Sequence, residues 1–306
     1  MGSIVSLVIS LISVLPVLAV LTALRFTWTH TKPWLQGDLG LQRYMHATKG
    51  KAAWAFVTHA CDPVGQALSY QLAARGFNVA MHGSDRPALD AMKGRLEREF
   101  PWNRYRVVAE RADAGAESVV DEVFVARVAA AMDGGNLTVL VNNATTAPGQ
   151  APGGDVRNLG VPSPAVTEET FAMRLAAALI PLLRRNAPAL VVNLASVTAP
   201  EEMQMPLCPS CGAPTACARD GINVVSYRLG GLASGDERPS LFTPSTETLA
   251  CAALRYAGVG HGGDEGWNYT FPYWPHAMLY MKDEALPGWA SELARNVWER
   301  GKKLKI

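Results

Sequence analysis

Val57 to Gly65 reads VTHACDPVG. It follows the apolar run AAWAFVT (52–58) and leads into Val64, Leu68 and Leu72 at helical spacing. A strand that turns into a helix in this way aims backbone amides at whatever lies beyond the strand. The chemistry such a turn can do is to hold a phosphate at the helix N-terminus. Turns of this kind usually carry several glycines, which bring the backbone close to the anion. Here Thr58 and the pair Val64-Gly65 frame the turn, but His59 and Pro63 stand inside it. Proline is tolerated in the first helical turn, although it removes one N–H. His59 either donates to a phosphate or fills the space a nucleotide needs, and the residues alone leave both open.

A second candidate is Cys208-Pro-Ser-Cys211-Gly, with Cys217 as a possible third ligand. A structural zinc takes four ligands, usually as two such pairs. A second Cys-x-x-Cys is absent, so no metal site is assigned. Five cysteines in 306 residues do not make a disulfide framework. Asn136, Asn143 and Asn268 each begin a glycosylation sequon, silent in a cytosolic domain.

The elements that must position these residues alternate along the chain. Strands are predicted at 52–58, 77–81, 106–109, 137–142, 190–195 and 223–227. Helices are predicted at 64–75, 87–100 and 117–132. A further helix shows Phe171, Leu175, Leu179 and Leu183 in steps of four, with Thr167 as its N-cap. The strands are continuous apolar runs, as in sheets buried on both faces. Such alternation predicts an α/β domain: a doubly wound parallel sheet with its ligands at the carboxyl ends of the strands. Four of those ends read VTHACDPVG, MHGSDR, VNNAT and NLASV, all small and polar.

Net charge is +1, so composition implies no nucleic-acid partner. Ile4 to Leu24 is apolar except for three serines and a threonine. At 1.5 Å per residue it is long enough for the roughly 30 Å hydrocarbon core of a bilayer. No Lys or Arg precedes it, which argues against a cleaved signal peptide. Arg25, Lys32 and Arg43 follow it and place the rest of the chain in the cytosol. The organisation expected is a transmembrane anchor (1–26), a juxtamembrane linker (27–50) and the α/β domain (51–306). Gly2 also fits the myristoylation pattern.

In the order and spacing of AWAFVTHACDPVG, RGFNVAMHGSD, LVNNAT, LVVNLAS, PSTETLACAALRYAG and the basic KKLKI end, the sequence resembles the short-chain dehydrogenase/reductase family. It is most similar to the membrane-anchored branch of very-long-chain 3-oxoacyl-CoA reductases and 17-beta-hydroxysteroid dehydrogenases. The resemblance implies a Rossmann-type domain that binds NADP(H). It also implies reduction of a hydrophobic ketone or acyl-CoA at the endoplasmic reticulum membrane, and a homo-oligomer is compatible with it. Thr58, His59, Val64 and Gly65 then match the TGxxxGxG turn, with His59 and Pro63 at two glycine positions. Ser84 stands where an arginine usually takes the 2′-phosphate, and Arg86 follows two residues later. Asp113 matches the acidic residue beside the adenine. Asn142, Asn143 and Ala144 match the NNAG motif, with Thr145 for its glycine.

The resemblance further implies a catalytic set of Asn, Ser, Tyr and Lys. Ser196 matches the serine. No Tyr-x-x-x-Lys occurs anywhere in the chain. The region reads EEMQMPLCPSCGAPTACARDGINVV, with Cys208 or Cys211 near the Tyr position and Thr215 near the Lys. Prolines at 200, 206, 209 and 214 leave little room for the helix that carries them. The preceding helix is also expected to be short, with Arg174 near the Asn position. Two functions follow: a membrane-bound NADP(H)-dependent ketoreductase, or a non-catalytic relative that binds a lipid or a protein. Sequence missing from the chain around 174 and 211–221 would be a third explanation for the lost residues.

Overall fold

The computed structural model describes residues 39–46, 52–109, 122–132, 135–144, 164–196, 219–233, 237–257 and 271–285. Isolated residues at 17, 20, 21, 24, 28, 120 and 217 are also described. Side chains are described except at 39, 144, 164–173, 196 and 280–285. Six strands, β1 (Ala53–Val57), β2 (Asn78–Gly83), β3 (Tyr105–Ala109), β4 (Asn136–Ala144), β5 (Ala189–Ser196) and β6 (Ile222–Leu229), form one sheet in the order β3-β2-β1-β4-β5-β6. Every pairing is parallel. The strand order reverses between β1 and β4. In such sheets the crevice that takes a ligand opens at that point, outside the carboxyl ends.

Seven helices are described: α1 (Leu39–Gln42), α2 (Pro63–Ala74), α3 (Arg86–Glu99), α4 (Glu122–Ala131), α5 (Pro164–Arg185), α6 (Thr246–Ala257) and α7 (Trp274–Ala285). Alternating strand residues feed two cores. Ala55, Val57, Met81, Val141 and Val192 join α1, α2, α3 and α6 on one face. Phe56, Ala80, Leu140 and Val191 join α4 and α5 on the other. The doubly wound arrangement expected from the sequence is therefore present.

Three readings of the sequence change. Thr167 is not the N-cap of its helix, because α5 begins at Pro164, and proline suits a first helical position better than an interior one. The same helix is not short: it runs 22 residues through Arg174 and tolerates Pro181 near its end. Finally, the packed unit reaches back to Leu41 and Tyr44, both buried, inside the stretch read as linker. Tyr44 Oη accepts from Asn223 Nδ2 at 2.6 Å, and the Arg43 guanidinium also donates to it. His46 Nε2 contacts the Pro188 carbonyl at 3.0 Å, and Asn136 Nδ2 donates to the His46 carbonyl at 2.6 Å. Residues 41–46 thus close the amino edge of the sheet. Among the described residues no helix is long and apolar enough to cross a membrane, and most of Ile4–Leu24 lies outside them.

Candidate dinucleotide site at the carboxyl edge of the sheet

At the switch point, β1 and β4 are tied together by Thr58. Its N–H donates to the Val141 carbonyl at 3.0 Å, and its hydroxyl accepts the Asn143 N–H at 2.9 Å. Asn143 Nδ2 donates onward to the His59 carbonyl at 3.2 Å. His59 holds φ = 46°, the left-handed region that glycine enters freely. Histidine is among the side chains that enter it at modest cost. The turn therefore holds a left-handed residue at a position where no glycine stands.

Gly65 is demanded by space. A Cβ there would overlap the His59 carbonyl oxygen and come within 2.9 Å of Ala60 Cα and 3.1 Å of Asn143 Nδ2. The turn folds back over the start of α2 at that position, and only glycine admits it. Pro63 is the first residue of α2, where its missing N–H costs little. Asp62 stands at the N-cap but makes no side-chain cap bond, so its carboxylate does not cover the first-turn amides of Val64 and Gly65. Burial raises the Asp62 pKa, while the neighbouring His59 opposes the rise.

Behind the turn lies His82 of β2, wholly buried. Its ring packs among Phe56, Phe124 and His59 at centroid distances of 6.0, 5.4 and 6.3 Å. Desolvation above all, then the charges of His59 and Arg127, pulls its pKa down to about 3, so it is neutral at physiological pH. Its backbone carbonyl accepts the Ala60 N–H at 2.8 Å, which joins the turn to β2.

The end of β2 leads to exposed Ser84 and then to Asp85, which caps α3 by accepting the Ala88 N–H at 2.9 Å. Arg86 is exposed and pairs with Asp90 at 3.0 Å. An exposed i,i+4 pair contributes only about 0.3–0.5 kcal/mol, so an arriving phosphate would compete with it easily.

Across the sheet, β4, β5 and β6 carry a polar ladder that is buried at Asn142 and Asn193 and half-buried at Ser226. Asn142, Asn193 and Ser226 are in register. Asn142 Nδ2 donates to Asn193 Oδ1 at 2.8 Å, and Asn193 Nδ2 donates to Ser226 Oγ at 3.4 Å. Asn142 is 1% exposed, and its Oδ1 finds no donor among the described residues. Ala144 pairs with Ala195, and Ser196 ends β5 opposite Leu229. The strand register thus brings Thr58, His59, Val64, Gly65, Asn142 and the backbone of Ala144 to one edge. The Ser196 side chain, Asp113, Cys208 and Cys211 lie outside the described residues. Among those described, no cluster of three or more metal-ligating side chains occurs.

A dinucleotide fits this edge by three features: a cradle that a Cβ would fill at Gly65, a helix start not capped by its own aspartate, and a buried acceptor with no donor among the described residues. When bound, the nicotinamide would supply the hydride. Thr58, Val64, Gly65 and Asn142 would hold the nucleotide, with Ser84 and Arg86 at the β2 end.

Sequence reading did not single out His82, Asn193, Ser226 or the clamp of His276 on Gly230. The alternation of β5 signalled Asn193, because it places a polar residue between Val191 and Ala195 on the α5 face. Nothing local signalled His276. Its Nδ1 accepts the Gly230 N–H at 3.2 Å and its Nε2 contacts the Phe242 carbonyl at 3.2 Å, across a gap of more than thirty residues.

Residues 53–210 match the short chain dehydrogenase family. The very-long-chain 3-oxoacyl-CoA reductase of Scheffersomyces stipitis is 24% identical over 276 residues, covering 82% of this chain and 76% of the relative. A very-long-chain 3-oxoacyl-CoA reductase-like protein of Arabidopsis thaliana is 24% identical over 260 residues, covering 76% and 77%. The fold is shared with a short-chain dehydrogenase from Streptomyces avermitilis (TM-score 0.54, 21% identity, covering 81% of this chain and 99% of that one). It is also shared with a Sphingobium yanoikuyae short-chain dehydrogenase in complex with NADPH (TM-score 0.50, 19% identity, covering 83% and 96%). With the family match spanning more than half of its length, this chain belongs to the short-chain dehydrogenase family.

Proposed function

We propose that the protein binds NADP(H) at the carboxyl edge of the sheet and takes a 3-oxoacyl-CoA or another hydrophobic ketone beside it, at a membrane surface. The observation that carries the reading is His59 at φ = 46° over Gly65: a left-handed turn residue closes over a helix start that has no room for a Cβ, as a turn that takes a phosphate requires. The likeness to 3-oxoacyl-CoA reductases supports the ligand class. Exposed Val17, Val20, Leu21 and Leu24, at helical spacing within the apolar N-terminal run, support a membrane anchor, and Arg25, Lys32 and Arg43 after it support a domain on the cytosolic side.

A second reading is favoured by the absence of any Tyr-x-x-x-Lys from the sequence. Without a tyrosine to give the proton and a lysine to lower its pKa, the protein holds these ligands and does not interconvert them. A single assay separates the two. Full-length protein with NADPH and a long-chain 3-oxoacyl-CoA is followed by absorbance of the reduced nicotinamide. Turnover that Ser196→Ala lowers at least tenfold supports the reductase. NADPH binding without turnover supports the non-catalytic reading. Absence of NADPH binding at millimolar concentration overturns both.

A further inference from the structure

The amino edge of the sheet, opposite the nucleotide turn, carries aromatic side chains that the site does not use. Trp102 lies between α3 and β3 and is 69% exposed. Its ring meets Phe100 nearly edge-on at 5.9 Å, and Phe100 meets Tyr70 of α2 at 5.1 Å. The Tyr70 hydroxyl donates to exposed Glu99, so the row is satisfied at its polar tip.

The loop that presents Trp102 is pinned on both sides. Asn103 Nδ2 donates to the Ala73 carbonyl at 2.7 Å, and the Arg104 N–H donates to Asn78 Oδ1 at 2.8 Å. A large ring held out on a fixed loop keeps its apolar area in water unless something covers it. In the sequence, Arg98 precedes it and Arg104 follows it, both exposed, with Glu97 and Glu99 exposed beside Arg98.

The N-terminal chain joins the domain on this same edge. Residues 41–46 are bonded to Asn223, Pro188 and Asn136, all at or just before strand starts. Met45 reaches Gly76, at the end of α2, where Ala73 also holds the Trp102 loop. A smaller apolar pair, Trp274 and Met278 on α7, lies elsewhere: His276 ties that helix to Gly230, just past the carboxyl end of β6.

We propose that the amino edge is a lipid-facing surface. Trp102, backed by Phe100 and Tyr70, sits among the headgroups of an anionic bilayer, where indole and phenol rings are favoured. Arg98 and Arg104 lie against lipid phosphates, which attract basic side chains at an anionic surface. The five residues of β1 then hold the nucleotide turn about 17 Å further from the lipid. This assignment rests on the anchor reading above, and its test separates the two.

The full chain is reconstituted into vesicles of phosphatidylcholine and phosphatidylserine whose acyl chains carry bromine, which quenches tryptophan on contact. Flotation of the vesicles reports the anchor, and quenching reports the edge. The expected result is that Trp102→Phe loses a quenched component of the fluorescence while Trp274→Phe loses none. Arg98→Gln with Arg104→Gln reduces quenching of Trp102 in the anionic vesicles. If the protein floats but Trp102→Phe is quenched like the parent, the anchor stands and the lipid-facing edge is overturned. If Trp274→Phe alone loses quenching, the opposite edge faces the lipid and the proposal is wrong. Should Trp102→Phe turn a detergent-solubilised dimer into a monomer with quenching unchanged, the patch belongs to a second copy and the proposal fails. A chain that does not float overturns both readings.

Discussion

At the scale of single residues, His59 and Gly65 have opposite reasons for their places. His59 holds a backbone conformation that costs an L-residue on the order of 1–2 kcal/mol. His59→Gly should therefore be more stable than His59→Ala by about 1 kcal/mol in chemical denaturation, since both lose the ring against His82 and only one is strained. Gly65 has no room. Gly65→Ala should cost about 1–3 kcal/mol, as overpacking does, and should weaken NADPH binding because the turn must shift. His82 makes a prediction in pH. Its pKa falls from 6.5 in the unfolded chain to about 3 in the folded one. Between those values the unfolded chain binds the extra proton, so acidification through this window removes stability, at up to about 1.4 kcal/mol per pH unit. His276 shifts in the same direction, chiefly through burial. Thermal unfolding between pH 7 and 5 should show a steeper fall for the parent than for His82→Phe, in which Phe56 and Phe124 still have a ring to pack on. An unchanged slope would mean that His82 is not buried neutral.

Elements show what could be read from the chain and what could not. β1, β4 and β5 are apolar runs long enough to be buried on both faces, and so were legible. The turn after β1 was legible as a phosphate-type turn, but its left-handed residue was not, because sequence gives no φ. Thr167 misled because a good capping residue can also sit inside a helix that proline has already started. Segment 41–46 was read as linker because four helical residues carry no periodicity. Its structure comes from partners ninety or more residues away, such as Asn136, Pro188 and Asn223. That segment is testable. Tyr44→Phe removes the acceptor of a half-buried bond and should cost about 1 kcal/mol, with no effect on nucleotide affinity, since it closes the edge away from the turn. Asn193→Leu acts at the other edge. It strands Asn142 Nδ2 as well as Oδ1 and should lower both stability and NADPH affinity.

For the whole molecule, the sheet separates two surfaces by the length of its strands: a nucleotide-type turn at the carboxyl ends and an aromatic, basic patch at the amino ends. The family explains the first and is silent on the second. Sequence could not supply the proton-transfer pair because Tyr-x-x-x-Lys is absent from it, so chemistry and fold point to different functions for the same edge. The measurement that bears most directly on the account is a titration of NADPH onto the full chain, read by thermal shift and nicotinamide fluorescence, with Gly65→Ala as the control. The account predicts saturable binding, weaker in Gly65→Ala and stronger than for NADH. No binding of either nucleotide at millimolar concentration, or binding that Gly65→Ala leaves untouched, would contradict it.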